Sequence, residues 1–216
     1  MSSLPETPFT LHGGCNCKAL RYTFPVPALA SRPIVVPASA DAGHGDIRLP
    51  MFNVDHCNDC RRASGSLTNF WMVAPRSDLS FQCLLRDGGE ERIQLSGDEL
   101  LFPSPASEKT FIVHYKSSHN DTFGADCIRA FCGRCGTMMS TGYFPWQLPI
   151  VAACSVQMGT LDREDLEKDG VRLERHLCCE NGIDWVVKMV SEGDKGLQTS
   201  ANLPKHPSWN MSDVMH

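Results

Sequence analysis

The chain has 216 residues, 42% apolar and 21% charged, with a formal net charge of −5. Such a composition belongs to a globular protein with a buried core, and the acidic balance gives no whole-protein attraction to nucleic acid or anionic membrane. No apolar run approaches the roughly 18 residues that cross a bilayer, and the start, Met1-Ser2-Ser3-Leu4-Pro5-Glu6, lacks the charged and apolar regions of a signal peptide. A cytoplasmic chain without nucleic-acid or membrane partners is expected.

Residues 1–9 read as a loose tail, followed by one domain over 10–180 and a C-terminal extension over 181–216. In 18–24, Leu20, Tyr22 and Phe24 alternate on one face of a strand. Residues 25–50 hold Pro25, Pro27, Pro33, Pro37 and Pro50 with Gly43 and Gly45, which predicts loop around at most one strand, Ile34–Val36. Residues 69–74 read as a buried strand. Leu79–Leu85 and Glu91–Leu95 read as a hairpin across Asp87-Gly88-Gly89. Thr110–Lys116, Met138–Tyr143 and Ile150–Val156 follow as further strands, and the one helical cue is Asp162–Lys168. From about Asn181 the pattern weakens, and 193–216 reads as a polar tail. Many short strands and little helix predict a mainly β fold.

Eleven cysteines in a chain expected to stay reduced read as metal or redox sites rather than disulfides. Three clusters stand out: Cys15-Asn16-Cys17 after Gly13-Gly14, Cys57-Asn58-Asp59-Cys60 after Asp55-His56, and Cys132-Gly133-Arg134-Cys135 before Gly136. Two cysteines this close can point at one metal only if the backbone turns sharply, and glycine permits the turn. Both outer clusters lie beside strand-like segments and carry glycines. The preferred pairing is therefore Cys15 and Cys17 with Cys132 and Cys135, a closed four-sulfur site for one structural zinc. The alternatives are small buried hydrophobes or a thioredoxin-like pair, and the latter needs a βαβ context missing here.

Three segments together resemble the glutathione-dependent formaldehyde-activating enzyme family, which also includes centromere protein V. They are Gly-Gly-Cys-Asn-Cys-Lys-Ala-Leu-Arg-Tyr at 13–22, His-Cys-Asn-Asp-Cys-Arg-Arg-Ala-Ser-Gly at 56–65, and Phe-Cys-Gly-Arg-Cys-Gly-Thr at 131–137. Val151–Asp162 and Arg175-His176 are similar to its later signatures. The resemblance covers roughly 10–180. It implies a zinc-pinned β-tent of short antiparallel strands, with the structural zinc on the two outer cysteine pairs. It also implies a second, catalytic zinc on a middle cluster of the form Cys-His-Cys-x-x-Cys. Here Asp55 stands in place of the first cysteine. Asp55, Cys57 and Cys60 remain a workable set, because a carboxylate ligates zinc at about 2.0–2.2 Å. The exchange gives a harder metal with an open position, or equally a site weak enough to stand empty.

His56, between the ligands, is expected to contact a ligand or substrate, or to be a surface histidine. Arg61 is placed to hold a substrate carboxylate, and Arg62 reads as a solvated charge. Trp71 reads as core. Cys83, Cys127, Cys154, Cys178 and Cys179 read as buried hydrophobes, and His114, His119 and Asp126 carry no motif.

The family's reaction joins formaldehyde to the glutathione thiol, formally a carbon–sulfur lyase in reverse. Asp55, the stretch at 25–50 and the long Leu84–Asp126 segment point to a substrate other than formaldehyde, and an Asp55 off the metal can serve as general acid or base. Three readings follow. The first is a zinc-dependent carbon–sulfur lyase acting on a small thiol adduct, of glutathione type, or a related carbonyl compound. The second is another metal-assisted hydration, dehydration or isomerisation. The third is a non-enzymatic binding protein with structural zinc alone.

Overall fold

The computed structural model describes residues 3–40, 45–120, 125–144 and 152–192. The start of the strand expected at 150, the tail at 193–216 and the side chain of His119 lie outside this description. Apolar alternation sets the first strands. β1 (Phe9–Gly14) runs antiparallel to β2 (Leu20–Val26) with Leu11 opposite Phe24, and Leu20, Tyr22 and Phe24 turn inward. The proline-rich segment holds two strands rather than one, β3 (Ile34–Val36) and β4 (Ile47–Arg48). β5 (Met51–Asp55) leads into the short helix α1 (Asn58–Ser64), and β6 (Asn69–Pro75) returns.

The expected hairpin forms as β7 (Ser80–Leu84) and β8 (Arg92–Ser96), followed by α2 (Gly97–Leu101). A reciprocal capping box starts α2: the Glu99 backbone N–H donates to the Ser96 hydroxyl and the Ser96 backbone N–H donates to the Glu99 carboxylate. β9 (Ile112–Asn120), β10 (Ala125–Cys132), β11 (Met138–Phe144) and β12 (Ala153–Gln157) form an antiparallel run. After α3 (Arg163–Leu166) come β13 (Arg175–Leu177) and α4 (Asp184–Glu192).

The protein is mainly β. A four-stranded antiparallel sheet, β1-β2-β7-β8, and a seven-stranded sheet, β13-β5-β6-β12-β11-β10-β9, share one core. Leu11, Tyr22, Phe24 and Phe81 from the first meet Met72, Ala74, Met139 and Val156 from the second. The larger sheet is antiparallel except at its edge, where β13 lies parallel to β5 with Leu177 beside Asp55. Residues 3–9, expected to be loose, are tied down. Leu4 is buried, the Ser3 hydroxyl donates to the Gly170 carbonyl at 2.7 Å, and Phe9 opens β1.

Gly13 shows how tightly the sheet meets the segment before α3. It bridges to Leu161, and a Cβ there would lie 2.3 Å from the Tyr22 ring and 2.4 Å from the Thr160 carbonyl. Tyr22 is buried and holds its hydroxyl 3.0 Å from that of Thr160, so neither neighbour has room to move. Gly13→Ala is expected to cost about 2 kcal/mol, a fall of roughly 4–8 °C in Tm. Gly159→Ala, where an added methyl meets nothing within 4 Å, is expected to melt like the parent. Equal melting curves for the two variants would overturn this account of Gly13.

Candidate metal centres

The first centre joins the two large sheets. Cys15 and Cys17 follow β1, Cys132 ends β10 and Cys135 lies in the loop after it. All four sulfurs lie within 4.8 Å of one another, with Cys15 Sγ 3.6 Å from Cys17 Sγ and Cys17 Sγ 3.7 Å from Cys132 Sγ. Sulfurs about 2.3 Å from the centre of a tetrahedron stand ~3.8 Å apart, so the spacing suits a tetrahedral metal and is far too long for a disulfide. This cluster can hold a metal ion. Backbone bonds shape both knuckles: Lys18 N–H donates to the Cys15 carbonyl at 2.9 Å, and Gly136 N–H to the Cys132 carbonyl at 2.7 Å.

The first knuckle corrects one expectation. Gly13 and Gly14 do not make its turn; they lie in β1, close against Tyr22 and Leu20, and the left-handed residue is Lys18 (φ 61°). In the second knuckle Gly136 (φ 75°) does supply the turn. Burial pushes the Cys15 and Cys132 thiols up. Burial also opposes ionisation of Cys135, but the Thr137 hydroxyl and the Thr137 and Cys17 backbone N–H groups outweigh it and bring that thiol down to about 6.

The second cluster is assembled at the end of β5. Asp55, Cys57 and Cys60 are all buried, and their ligand atoms lie within 4.8 Å of one another. The sequence predicted a turn between the two cysteines, whereas the chain is helical there. Cys57 is the N-cap of α1 and Cys60 lies in its first turn, with Gly65 (φ 69°) ending the helix. Asp55 makes the change of direction: its Oδ1 accepts the Cys57 backbone N–H at 3.0 Å, an Asx-type turn. Its Oδ2 accepts the Trp71 indole N–H at 3.1 Å, which satisfies a buried Trp on the facing strand. Each oxygen keeps a further lone pair, so the carboxylate can still ligate.

The Cys57 thiol is held well below its ordinary value, first by donation from the Cys178 thiol and then by that of Cys60, with the Cys60 and Asp59 backbone N–H groups adding to it. Cys60 and Cys178 are pushed up, as donors to Cys57 in a buried site. Asn53 shares the Asp55 face of β5 by strand alternation, and Asn69 lies opposite Asp55. Both are buried, and the Asn53 amide atoms and Asn69 Nδ2 have no hydrogen-bond partner among the described residues. The donor set and these orphaned amides fit a site built to take a metal and a polar ligand.

His56 does not join Asp55. One residue past the end of β5, it turns the other way, and its Nε2 lies 3.1 Å from His176 Nδ1 with the two rings stacked. It is 2% exposed, so it is not a surface histidine; burial first, and then His176, push its pKa down. His56, His176 and Cys179 form a separate cluster of possible ligands. Cys179 is exposed and Cys178 half-buried against Cys57, Cys60 and Trp71, so the expectation of inert buried thiols fails for this pair.

A pocket of about 640 Å³ opens beside α1, lined by Asp59, Arg62, Tyr115, Arg129, Phe131 and Met138 among others. Met138 also packs against Cys57 and Cys60, so pocket and cluster adjoin. The cations facing it are Arg62 and the buried Arg129. Arg61 does not line the pocket; its guanidinium turns to Asn58 at 3.5 Å. Arg129, Trp71 and Cys178 were not singled out from the sequence as site residues. The signals were a buried-strand Arg, a Trp needing a partner, and a vicinal cysteine pair just past Arg175-His176.

Among the described residues no helix is long and apolar enough to cross a membrane. Compared with known proteins, the chain matches no family model and no curated relative.

Proposed function

We propose that the protein is a zinc-dependent carbon–sulfur lyase-like enzyme that makes or splits the adduct of an anionic thiol, of glutathione type, with a carbonyl compound. One observation carries this reading: three buried ligand residues, Asp55, Cys57 and Cys60, converge beside a pocket of about 640 Å³ that presents Arg62 and Arg129. The resemblance in residues 13–22, 56–65 and 131–137 points the same way. Cys15, Cys17, Cys132 and Cys135 would hold a structural zinc, and Asp55, Cys57 and Cys60 a second. A second zinc supplies Lewis acidity, stabilising negative charge on the carbonyl oxygen and favouring the thiolate form of the substrate.

The chain's own groups do the rest. Arg62 and Arg129 bind the carboxylates of the substrate. Tyr115, Phe131 and Met138 cover its apolar part and limit water. The Asn53 and Asn69 amides can hydrogen-bond the hydroxyl of the adduct. In the direction of synthesis the thiolate sulfur forms the C–S bond and the C=O π pair moves onto oxygen. That oxygen takes up the proton the thiol lost, and cleavage is the reverse. Asp55 can relay that proton, within the limit that its oxygens also hold Cys57 and Trp71.

The experiment joins metal content to exchange. Two zincs per chain are expected, together with faster exchange, followed by NMR, between free aldehyde plus glutathione and their adduct. Both the second zinc and the acceleration should disappear in Cys57→Ser. One zinc per chain and no acceleration across a panel of aldehydes would overturn the reading. That outcome would favour a non-enzymatic protein in which Asp55 serves only as the anchor of Trp71 and α1.

A further inference from the structure

We infer that Cys178 is a metal ligand, the third thiolate of the centre formed with Cys57 and Cys60, delivered from the far end of the chain by the β13–β5 ladder. The inference rests on the reading of Asp55, Cys57 and Cys60 as a metal centre and extends it to a residue 118 positions beyond Cys60 in the sequence.

Geometry brings the residue there. β13 runs parallel to β5 with Leu177 level with Asp55, and the His56 backbone N–H donates to the Leu177 carbonyl at 3.0 Å. The next residue, Cys178, is thereby carried level with the start of α1. It packs against the cluster of Cys57, Cys60 and Trp71. Asp55, Cys57 and Cys60 hold their ligand atoms within 4.8 Å of one another, and Cys178 packs against this set from outside it, so a metal bound there would have a fourth donor at hand, the number a tetrahedral zinc takes. The four come from three elements, β5, α1 and the turn after β13. Such convergence is hard to ascribe to the packing of small apolar residues.

The backbone supplies the second observation. Cys178 sits at φ 55°, ψ 39°, the left-handed region where a side chain is disfavoured. Among the described residues Lys18 is the other non-glycine with positive φ, and it follows Cys17 directly in the four-sulfur cluster. Both therefore occur where the chain must bend to aim a sulfur at a cluster. Glycine would fit position 178 more easily, so the residue there is retained against its backbone preference. The direction in which its sulfur points accounts for that, and a generic packing role does not. Cys179, next in line, turns away and is exposed beside His56 and His176. The vicinal pair thus splits between two faces of the ladder.

The same argument assigns Asp55 a narrower role. With one oxygen on the Cys57 N–H and the other on the Trp71 indole, it fixes the position of Cys57 and occupies the fourth corner only through its remaining lone pairs. A substrate atom can replace it there without disturbing the three sulfurs.

Cobalt(II) titration of the zinc-stripped, refolded full chain tests the assignment, because sulfur-to-cobalt charge-transfer absorbance scales with the number of bound thiolates. Wild type is expected to take up two equivalents, the first with a four-sulfur and the second with a three-sulfur spectrum. Cys178→Gly removes the sulfur and relaxes the left-handed backbone, so it should fold at least as well as wild type. Its second equivalent should lose about one third of the charge-transfer band, one sulfur of three. Affinity there should fall by more than the roughly 10–100-fold that follows loss of a group behind a ligand. The first equivalent should be unchanged, and Cys178→Ser should lose the same band. A full band for the second cobalt in Cys178→Gly would overturn the assignment. If Cys57→Ser loses the second cobalt while Cys178→Gly keeps it, the metal centre stands and the role of Cys178 falls. If wild type takes up one cobalt only, both fall.

Discussion

Chelating the metal, or replacing Cys132 by Ser, is expected to unfold the β domain. The four sulfurs of the first cluster connect the β1–β2 turn with the loop between β10 and β11, and so the four-stranded sheet with the seven-stranded one. Cys15 and Cys132 are buried, and without a metal they become weakly hydrogen-bonding thiols in place of ligands. Structural zinc contributes of the order of 10 kcal/mol in small domains, similar to the whole stability of a typical domain. The pH dependence has a definite sign. Burial holds the Cys15 and Cys132 thiols above their ordinary values, so each gives up a proton when metal binds. Affinity must then fall as pH falls, more steeply than for one proton. A Cys132→Ser protein with the parent's melting curve and zinc content would sink the four-sulfur centre.

Asp55 is the position where a single exchange should do most damage to the second site. Asp55→Ala removes the acceptor of two buried donors, the Trp71 indole N–H and the Cys57 backbone N–H. Each orphaned donor costs about 1–3 kcal/mol, so the variant should be about 2–4 kcal/mol less stable, the range allowing for partial relaxation. Turnover should drop by at least about 10²-fold, and the second metal should bind more weakly. Asp55→Asn cannot fully repair this. Its amide has one accepting oxygen, and its NH₂ would face the second donor. Asp55→Cys adds a thiolate and should raise zinc affinity at the second centre, while leaving Trp71 without its acceptor and lowering metal-free stability. Denaturation, metal analysis and turnover read these effects separately. Full turnover by Asp55→Ala would place the chemistry elsewhere. Unchanged second-metal stoichiometry would leave Asp55 as an anchor outside the metal shell.

Strands with one buried face were legible in the sequence, because alternation is a local signal. β2 and the β7–β8 hairpin lie where Leu20/Tyr22/Phe24 and Asp87-Gly88-Gly89 put them, and β6 shows as an apolar run because it is buried on both faces; β9, expected over Thr110–Lys116, runs Ile112–Asn120 with Ile112 inside and Tyr115 exposed. The strands that build the second site were not legible. β5 is buried at Phe52, Asn53, Val54 and Asp55, so it carries polar residues inside and no alternation. β10 hides Arg129 at a position where an apolar residue would have marked the strand. β13 has only three residues and is fixed by its partner. The Cys-x-x-Cys spacing fits a turn and a first helical turn alike, so it does not by itself reveal α1, although Gly65 stands where a helix terminator belongs. The capping pair Ser96 and Glu99 is an equally local signal for the start of α2. The cysteine clusters were legible as donors. Their separation into a four-sulfur set and a set that reaches Cys178 depends on strand pairing, which no spacing reveals.

The place of β13 bears on how the protein is made. During synthesis from the N-terminus, β5 emerges some 120 residues before the strand that covers its outer edge. For that interval β6 pairs one side of β5, and the other side shows unpaired amides and carbonyls to whatever it meets. A nascent or truncated chain that stops short of residue 175 therefore offers a docking edge to a second copy of itself. The turn ending in Cys178 closes that edge only once β13 has joined β5, which couples the maturity of the second site to protection against self-association.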